Sequence, residues 1–427
     1  MRLGRPNCDR GIEGLLQGPA RAPRLMKPGQ LGAMRATIAL LVCLGCSVYA
    51  EPAVGQDGVS DFHLDSSDHA TVPTTDGVVF EAMINGKGPF QLIFDTGAGV
   101  NILNPAVIAQ LGLPAESGPV AVPAIGGPVD SKTFRADEVR IGDLALHHQT
   151  FYSVQLPWPE GTGPVGAVGH EVMRQLVVTV NYARQRLTFF DPVSFVYRGR
   201  GIKTSLESDP TQVVVKASIG GWARGDFAID TGDFGGFDVN QWFVKKFAVL
   251  DHVPHRYHGV FGRGAGGDSP PGWITRIKTV CIEKSCVHQV ITYLSDGQAS
   301  WDQHAGTIGE DILKRFTVTV DWPHHALYLE RSAARAGPEV FNRSGIINDF
   351  DDSGKDLRVV AVLPGSPGDK AGVRVGDRIV LIDNRPPVAP WGREEPAFLR
   401  PSGTAVLLTI ERGPLVQQLK IRLKNLL

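Results

Sequence analysis

The stretch FQLIFDTGAGVN at Phe90–Asn101 places an Asp-Thr-Gly triplet, beginning at Asp95, directly after a run of apolar residues. A related stretch, GDFAIDTGDFGG at Gly225–Gly236, places a second triplet at Asp230. A single Asp-Thr-Gly is usually a turn or a helix N-cap. Because this triplet recurs inside a longer similar frame, the pattern predicts two equivalent structural units.

A second repeat supports this duplication. GAVGHEVMRQLVVTVN at Gly166–Asn181 recurs as GTIGEDILKRFTVTVD at Gly306–Asp321. Each copy also opens with two β-rich runs around a turn, Asn85-Gly86 in the first and Gly220-Gly221 in the second, which is typical of a β-hairpin. The repeats therefore predict two β lobes.

Composition favours the same fold class. The 427 residues include 50 glycines and 30 prolines, which mark the turns between short strands. Hydrophobic residues make up 42% and charged residues 20%, which provides buried cores and argues against a disordered chain. The formal net charge of −1 gives no field that attracts nucleic acid, so no nucleic-acid partner is expected.

Two aspartates at the ends of rigid strands suit general acid–base chemistry. Two carboxyl groups about 3 Å apart cannot both ionise, so the pair holds one proton. One carboxylate then takes a proton from water while the protonated partner polarises a substrate carbonyl. We predict Asp95 and Asp230 as this pair. The glycine that ends each triplet has no side chain, so its backbone amide can contact the carboxylate.

These motifs resemble those of the aspartic proteases, specifically the retropepsin-like family in a single-chain form with two lobes. The resemblance covers about residues 74–332 and includes the turns Ala167-Val168-Gly169 and Thr307-Ile308-Gly309. It implies a mainly β, two-lobed acid-protease-type β-barrel fold and an endopeptidase that acts on polypeptide substrates without metal or cofactor. The site it implies is the dyad Asp95 and Asp230, supported by Thr96, Gly97, Thr231 and Gly232.

Gly-rich segments between the motifs of each lobe resemble the flaps of this family. They are PAIGGP at Pro123–Pro128 and FGRGAGG at Phe261–Gly267. Two flaps fit the retropepsin plan, and a flexible surface hairpin in each lobe is the alternative. The predicted flap residues are Ile125, Gly126, Gly127, Gly264 and Gly266.

The C-terminal part resembles a PDZ domain of the bacterial envelope-protease type. The most specific match is KAGVRVGDRI at Lys370–Ile379, accompanied by VLPGSP at Val362–Pro367 and SGII at Ser344–Ile347. The resemblance implies binding of peptide C-termini or extended segments at a sheet edge. A degenerate domain that only packs on the protease is the alternative. The peptide-binding residues that the resemblance implies are Gly345, Ile346 and Ile347.

Two residues depart from the protease pattern, and one of them is Thr307, which stands before Ile308 where a larger apolar residue is usual. Asp233 follows the second triplet, where the family usually has Ala, Ser or Thr. If the Asp233 carboxylate faces the dyad, its charge raises the pKa of the dyad. The alternative is that Asp233 points to solvent. The departure leaves a second hypothesis open, in which a weakly active or inactive protease fold serves as a peptide-binding scaffold through the PDZ domain.

The apolar run at Ala36–Ala50 is shorter than the roughly 18 residues of a membrane span. It predicts a signal peptide at residues 34–50, with Met34-Arg35 as its basic start and small residues before a cut after Ala50. The expected destination is secretion, into the bacterial periplasm, with no stable membrane span in the mature chain. A long signal or an uncleaved anchor is the alternative.

Two cysteines follow the predicted signal peptide, Cys281 and Cys286. They flank a four-residue turn between the β-rich runs Trp273–Val280 and Val287–Leu294. Facing positions of a hairpin can meet disulfide geometry, and an exported protein is in an oxidising compartment, so we predict a disulfide. The alternative, a metal half-site, lacks a second cysteine pair.

The expected domain order combines these features. Residues before Met34 have no apolar periodicity, so we expect the true start at Met34. The predicted divisions are a non-translated or disordered leader at 1–33, the signal peptide at 34–50, an N-terminal tail at 51–73, lobe 1 at 74–192, lobe 2 at 193–332, a linker at 333–339 and the PDZ domain at 340–427.

Overall fold

The computed structural model describes residues 61–65, 67–207, 209–297, 303–332, 339–350, 354–388 and 395–427. The predicted leader, the signal peptide and most of the linker lie outside these ranges. Within them the chain is mainly β, which confirms the predicted fold class, and no helix exceeds seven residues. None of these described helices has the length and apolar character needed to cross a membrane.

Lobe 1 is built from short strands and two helices. The strands are β1 (Phe62–Leu64), β2 (His69–Pro73), β3 (Val79–Ile84), β4 (Lys87–Phe94), β5 (Ile102–Leu103), β6 (Val120–Val122), β7 (Val129–Ser131), β8 (Thr133–Ile141), β9 (Leu144–Ser153), β10 (Gly166–Val168), β11 (Val177–Asn181) and β12 (Arg186–Phe190). The helices are α1 (Pro105–Leu111) and α2 (His170–Met173).

The strand order of lobe 1 places the first triplet inside the sheet. Its seven-stranded sheet has the order β1-β9-β5-β10-β4-β3-β8, and β10 runs parallel to β4. Asn85 and Gly86 both have positive φ, 48° and 70°, which is the backbone of the tight turn predicted between β3 and β4. The apolar end of β4 is buried, so it delivers Asp95 at a fixed place.

Lobe 2 repeats this arrangement. Its strands are β13 (Ile202–Ser205), β14 (Val214–Ile219), β15 (Ala223–Ile229), β16 (Phe237–Val239), β17 (Arg256–Gly259), β18 (Arg263–Gly264), β19 (Gly267–Asp268), β20 (Gly272–Ile282), β21 (Ser285–Ser295), β22 (Gly306–Ile308), β23 (Phe316–Asp321) and β24 (Ala326–Arg331). The helices are α3 (Gln241–Lys246) and α4 (Glu310–Leu313). Its seven-stranded sheet has the order β14-β15-β22-β16-β21-β20-β17, with β22 parallel to β15.

A six-stranded sheet joins the lobes. Its order is β13-β24-β23-β11-β12-β2, so each lobe contributes three strands. At its centre Thr179 of β11 faces Thr319 of β23, and the two hydroxyl oxygens are 2.8 Å apart. These residues occupy equivalent positions of the sequence repeat. The lobes are therefore related by an approximate two-fold axis through this pair, and their buried side chains form one continuous core.

Two sequence-based expectations need correction here. The predicted N-terminal tail contains β1 and β2, which pair with β9 and β12. Ala70 and Val72 alternate inward on β2, so from Phe62 onward this segment belongs to the protease fold. The disulfide between Cys281 and Cys286 is present, but both cysteines lie within β20 and β21, and the turn between these strands has two residues, not four.

The PDZ domain has its own sheet and core. Its strands are β25 (Ile346–Phe350), β26 (Leu357–Val362), β27 (Arg378–Ile382), β28 (Ala405–Arg412) and β29 (Leu415–Arg422), in that spatial order, with helices α5 (Pro367–Lys370) and α6 (Pro396–Leu399). Ser366 caps α5 because its Oγ accepts the Asp369 N–H at 3.2 Å. The strand β25, at the sheet edge, was not anticipated from the sequence.

Candidate active site

Asp95 and Asp230 lie at equivalent strand ends. Asp95 follows β4 and donates its N–H to the Val168 carbonyl of β10 at 2.9 Å. Asp230 follows β15 and donates its N–H to the Ile308 carbonyl of β22 at 3.0 Å. Each aspartate is thus tied to the second repeated motif of its own lobe, which explains why the two motifs recur together.

The turns after each aspartate fix its carboxylate. The Oδ1 atom of each accepts two backbone N–H groups, at 2.9 and 3.0 Å. Such bonds favour the charged form and hold the side chain in one orientation. The donors are Gly97 and Ala98 for Asp95, and Gly232 and Asp233 for Asp230.

The two carboxyl groups meet across the lobe interface, each lying against the glycine turn of the opposite lobe. A Cβ atom added at Gly97 would lie 2.4 Å from Asp230 Cγ, and one at Gly232 would lie 2.4 Å from Asp95 Cγ. Only glycine lets each turn approach the opposite carboxyl group so closely. The arrangement brings the predicted pair together with the glycines predicted to support it.

The threonines of the two triplets connect the lobes directly. Thr96 N–H donates to Thr231 Oγ1 at 3.1 Å, and Thr231 N–H donates to Thr96 Oγ1 at 3.0 Å. The Thr96 hydroxyl donates to the Ile229 carbonyl at 2.6 Å, and the Thr231 hydroxyl to the Phe94 carbonyl at 2.5 Å. Both threonines are fully buried, so these four bonds have no competition from water.

Burial makes the dyad hold its proton tightly. Burial raises the pKa of Asp95, although hydrogen bonds from Asp230 and from backbone N–H groups oppose the rise. Burial also raises the pKa of Asp230, well above its usual value, and the negative charges of Asp95 and Asp233 raise it further. The pair therefore keeps one proton to higher pH than an isolated aspartate would, and that proton belongs to the two carboxyl groups jointly.

Asp233 points inward, not to solvent. Its Oδ1 accepts the Gly235 N–H at 2.7 Å, while its Oδ2 is buried and has no hydrogen-bond partner among the described residues. A Cβ atom added at Gly309 would lie 2.6 Å from that Oδ2, so the carboxyl group fits against this glycine turn. Burial raises the pKa of Asp233 to about 6, and the charges of Asp311 and Asp95 add to the effect.

Asp238 is a further acidic residue of the site that the sequence reasoning missed. It lies on β16 opposite Thr307 of β22, and the equivalent position of lobe 1 is Ile102 opposite Ala167. Burial raises its pKa well above the usual value, and the charge of Asp233 raises it further. A carboxyl group in one repeat where the other has isoleucine was the available signal.

Gln212 is a second residue that was missed. Its Nε2 donates to the Gly97 carbonyl at 3.2 Å, so lobe 2 supports the turn of lobe 1. Its own N–H donates to Asp209 Oδ1 at 2.7 Å, and Asp209 Oδ2 is 3.1 Å from His304 Nε2. No motif marks Gln212, since it meets Gly97 only when the lobes assemble.

The two predicted flap segments are brought together. They form two hairpins, β6–β7 in lobe 1 and β18–β19 in lobe 2. Gly266 N–H donates to the Ile125 carbonyl at 2.9 Å, so the tips touch. A Cβ atom added at Gly126 would lie 2.5 Å from the backbone of Gly267, and one at Gly264 would lie 2.4 Å from Ile125 Cβ. Close contact of the hairpins therefore depends on glycine at these positions and at Gly266, where an added Cβ atom would lie 2.1 Å from the carbonyl oxygen of Gly127.

The loop predicted to bind peptide carboxylates is occupied by its own side chains. Asn342 Oδ1 accepts the N–H groups of Ser344 and Gly345 at 2.9 and 3.1 Å. Ser344 Oγ accepts the Ile346 N–H at 3.0 Å. Ile347 lies on β25 at the sheet edge. The N–H groups of residues 344–346 are therefore already bonded within the domain, while β25 lies at the edge of its sheet.

Comparison with known proteins agrees with this architecture. Residues 80–172 match the aspartyl protease family model, and residues 358–412 match a PDZ domain model. No curated protein matches the chain. The crystal structure of the aspartic proteinase from Irpex lacteus is similar with 13% identity and a TM-score of 0.42, covering 63% of this chain and 99% of that one. The chain carries an aspartyl protease-like domain of the retropepsin-like kind and a C-terminal PDZ domain, as the resemblance predicted.

The threonine bonds lead to a stability prediction. In the variant Thr231→Val, the Thr96 N–H loses its acceptor and the Phe94 carbonyl loses its donor. Both of these backbone groups stay buried. We expect the free energy of unfolding to fall by about 2–4 kcal/mol, because each unsatisfied buried group costs about 1–3 kcal/mol. Urea unfolding measures the change. Thr231→Ser keeps the hydroxyl and is the control, and equal midpoints for the Val and Ser variants would contradict the account.

Proposed function

We propose that this chain is an aspartic endopeptidase in which Asp95 and Asp230 activate water for peptide-bond hydrolysis. The observation that carries the proposal is the pair of carboxyl groups that face each other at duplicated strand ends, each against the glycine turn of the opposite lobe. Two carboxyl groups this close hold one proton between them, which is the state that general acid–base catalysis requires.

The proton balance of the proposed reaction is simple. Asp95 takes a proton from the attacking water while the water oxygen bonds to the carbonyl carbon of the peptide. Asp230 donates the proton of the dyad to the carbonyl oxygen. When the tetrahedral intermediate breaks, Asp95 passes its proton to the leaving nitrogen, and Asp230 recovers one from a hydroxyl group. The backbone N–H groups on each Oδ1 hold both side chains in place through both steps.

The proposed substrate is a polypeptide in extended form. The paired flap hairpins support this proposal, because glycine-rich tips that touch in the free protein can separate and close again over a chain. For the PDZ domain we propose binding of an extended segment along β25, since the loop amides near Gly345 are already bonded. Equal affinities for peptides with free and amidated C-termini, measured by fluorescence anisotropy, would support edge binding.

An inactive scaffold is the second hypothesis, and Asp233 is the residue that favours it. In that hypothesis the negative charge of Asp233 makes the dyad hold its proton too tightly for turnover. The pKa of Asp233 is about 6, so its carboxyl group is neutral at acidic pH, which argues against the hypothesis there. Incubation of a mixed peptide library between about pH 3 and 7 distinguishes the hypotheses, since a scaffold leaves the library uncut.

Export to the periplasm is proposed on the signal-like run and on the disulfide. The bond between Cys281 and Cys286 supports an oxidising compartment, where such bonds persist. N-terminal sequencing of exported protein is the check, and we expect the mature chain to begin at Glu51. A start at Met1 or Met34 would contradict cleavage.

The dyad gives the first functional prediction. Asp95→Asn and Asp230→Asn should each lower kcat by several orders of magnitude, since an amide neither accepts nor releases the proton. Both exchanges are nearly isosteric, so circular dichroism should show an unchanged fold. The matched control is Asp226→Asn. Asp226 is an exposed aspartate on β15, the strand that precedes Asp230, and it forms an ion pair with Lys216. An Asp230→Asn variant with most of the wild-type rate would exclude lobe 2 from catalysis.

Asp233 gives a pH prediction. The rate should follow a bell in pH, because only the singly protonated dyad is active. The negative charge of Asp233 raises the pKa of Asp230, so Asp233→Asn should move the upper limb of the kcat/KM profile to lower pH. The profile of kcat/KM against pH measures this, and an upper limb that stays in place would contradict it.

The same residue affects stability with a defined sign. The pKa of Asp233 is raised in the folded state, so its proton is lost there at higher pH than in the unfolded chain. Wild-type stability should therefore fall as pH rises from about 4 to about 7, and Asp233→Asn should make the fall shallower. Urea unfolding at several pH values measures both slopes.

A further inference from the structure

The PDZ domain contacts the flap hairpin of lobe 2. Arg263, on β18, places its Nη1 3.0 Å from Asp349 Oδ2 on the PDZ edge strand β25. Arg263 Nε also lies 3.9 Å from Asp268 Oδ1 on the facing flap strand β19. One guanidinium therefore joins both strands of the flap hairpin to the PDZ domain.

The β25–β26 pair also reaches lobe 1. A Cβ atom added at Gly354, before β26, would lie 2.8 Å from Thr162 Cγ2 and 3.2 Å from Pro159 Cβ. These two residues belong to the segment between β9 and β10. Since β10 carries the Val168 carbonyl that receives the Asp95 N–H, this segment leads directly to the dyad of lobe 1.

The last linker residue, Glu339, is held on lobe 2 as well. Lys314 Nζ, whose side chain is only 10% exposed, is 3.1 Å from Glu339 Oε2 and 2.6 Å from Asp311 Oδ1. Arg276 donates to the Glu339 carbonyl at 3.1 Å. Because Glu339, directly before it, is fixed in this way, the PDZ domain can restrain the lobe 2 flap, to which Arg263 connects it.

Entry of substrate requires the flap tips to separate. The bond from Gly266 N–H to the Ile125 carbonyl must break, and the lobe 2 hairpin must move away from lobe 1. The PDZ domain touches both the moving hairpin, at Arg263, and lobe 1, at Thr162. These contacts favour the closed position of the flap. When only a fraction of the molecules is open, the apparent affinity for substrate is the affinity of the open form multiplied by that fraction.

We propose that Asp349 is a specificity-determining residue, which through Arg263 holds the lobe 2 flap closed and so disfavours long polypeptide substrates relative to short peptides. The inference rests on the proposed endopeptidase function. A short peptide can enter the cleft by its end, whereas the middle of a long chain needs both hairpins to open fully. The side chains of Arg263 and Asp349 are 45% and 29% exposed, so the ion pair changes the opening equilibrium by no more than about fivefold.

The kinetic test uses the full chain and the variant Asp349→Asn. We expect kcat/KM for an unfolded polypeptide of about one hundred residues to rise about two- to fivefold, and the value for a peptide of about eight residues to rise by less. Salt near 1 M, which shortens the Debye length to about 3 Å, should raise the wild-type value for the long substrate but not that of the variant. An equal change for both substrates would overturn the proposal.

A matched ion pair provides the control. Arg135 and Glu116 of lobe 1 are 3.1 Å apart, with side chains 42% and 29% exposed. Glu116→Gln should leave the ratio of the two kcat/KM values unchanged. Arg263→Gln should change the ratio in the same direction as Asp349→Asn, and the double variant should change it no further than Arg263→Gln does, whereas additive effects would show that the ion pair is not the cause.

A second measurement does not depend on catalysis. Amide hydrogen exchange of residues 264–267, which include the Gly266 N–H at the flap contact, should be about two- to fivefold faster in Asp349→Asn than in wild type. Unchanged exchange would overturn the flap restraint even in an active enzyme. If wild type cuts no peptide, the proposed function fails, while faster exchange would still establish the restraint itself.

Discussion

The hydrogen bonds between Thr96 and Thr231 are the constraint on which the rest of the site depends. Each threonine accepts the N–H of the other and donates to a carbonyl of the opposite lobe, in a place that water does not reach. They set the distance between two strand ends that are far apart in sequence. Because Gly97 and Gly232 then meet the opposite carboxyl groups, the dyad geometry follows from the lobe contact and not from either lobe alone.

The two lobes share a backbone plan but not an electrostatic environment. Lobe 1 has Ala98 and Ile102 where lobe 2 has Asp233 and Asp238. The charge of Asp233 raises the pKa of Asp230, and it also raises the pKa of Asp238. The duplicated frame thus carries two chemically different halves, with the additional acidic residues on the side of lobe 2.

The PDZ domain is more than an appended module in this arrangement. Glu339, directly before the domain, pairs with Lys314 of lobe 2. The edge strand of the domain contacts the lobe 2 flap through Arg263, and Gly354 packs near Thr162 of lobe 1. The edge strand β25 therefore neighbours the lobe 2 flap hairpin. In the proposed function, the site of peptide recognition and the site of cleavage are connected through this exposed ion pair, which salt weakens.

The sequence by itself determined the duplicated β frame, the Asp-Thr-Gly ends and the cysteine hairpin, because apolar runs, tight turns and recurring motifs are local patterns. It also indicated which segments form the two glycine-rich hairpins. The inward orientation of Asp233, the support from Gln212 and the Arg263–Asp349 pair arise only in the tertiary structure, as does the strand role of residues before Pro73. These features join residues distant in the chain, and no local pattern encodes which of them become neighbours when the lobes close on each other.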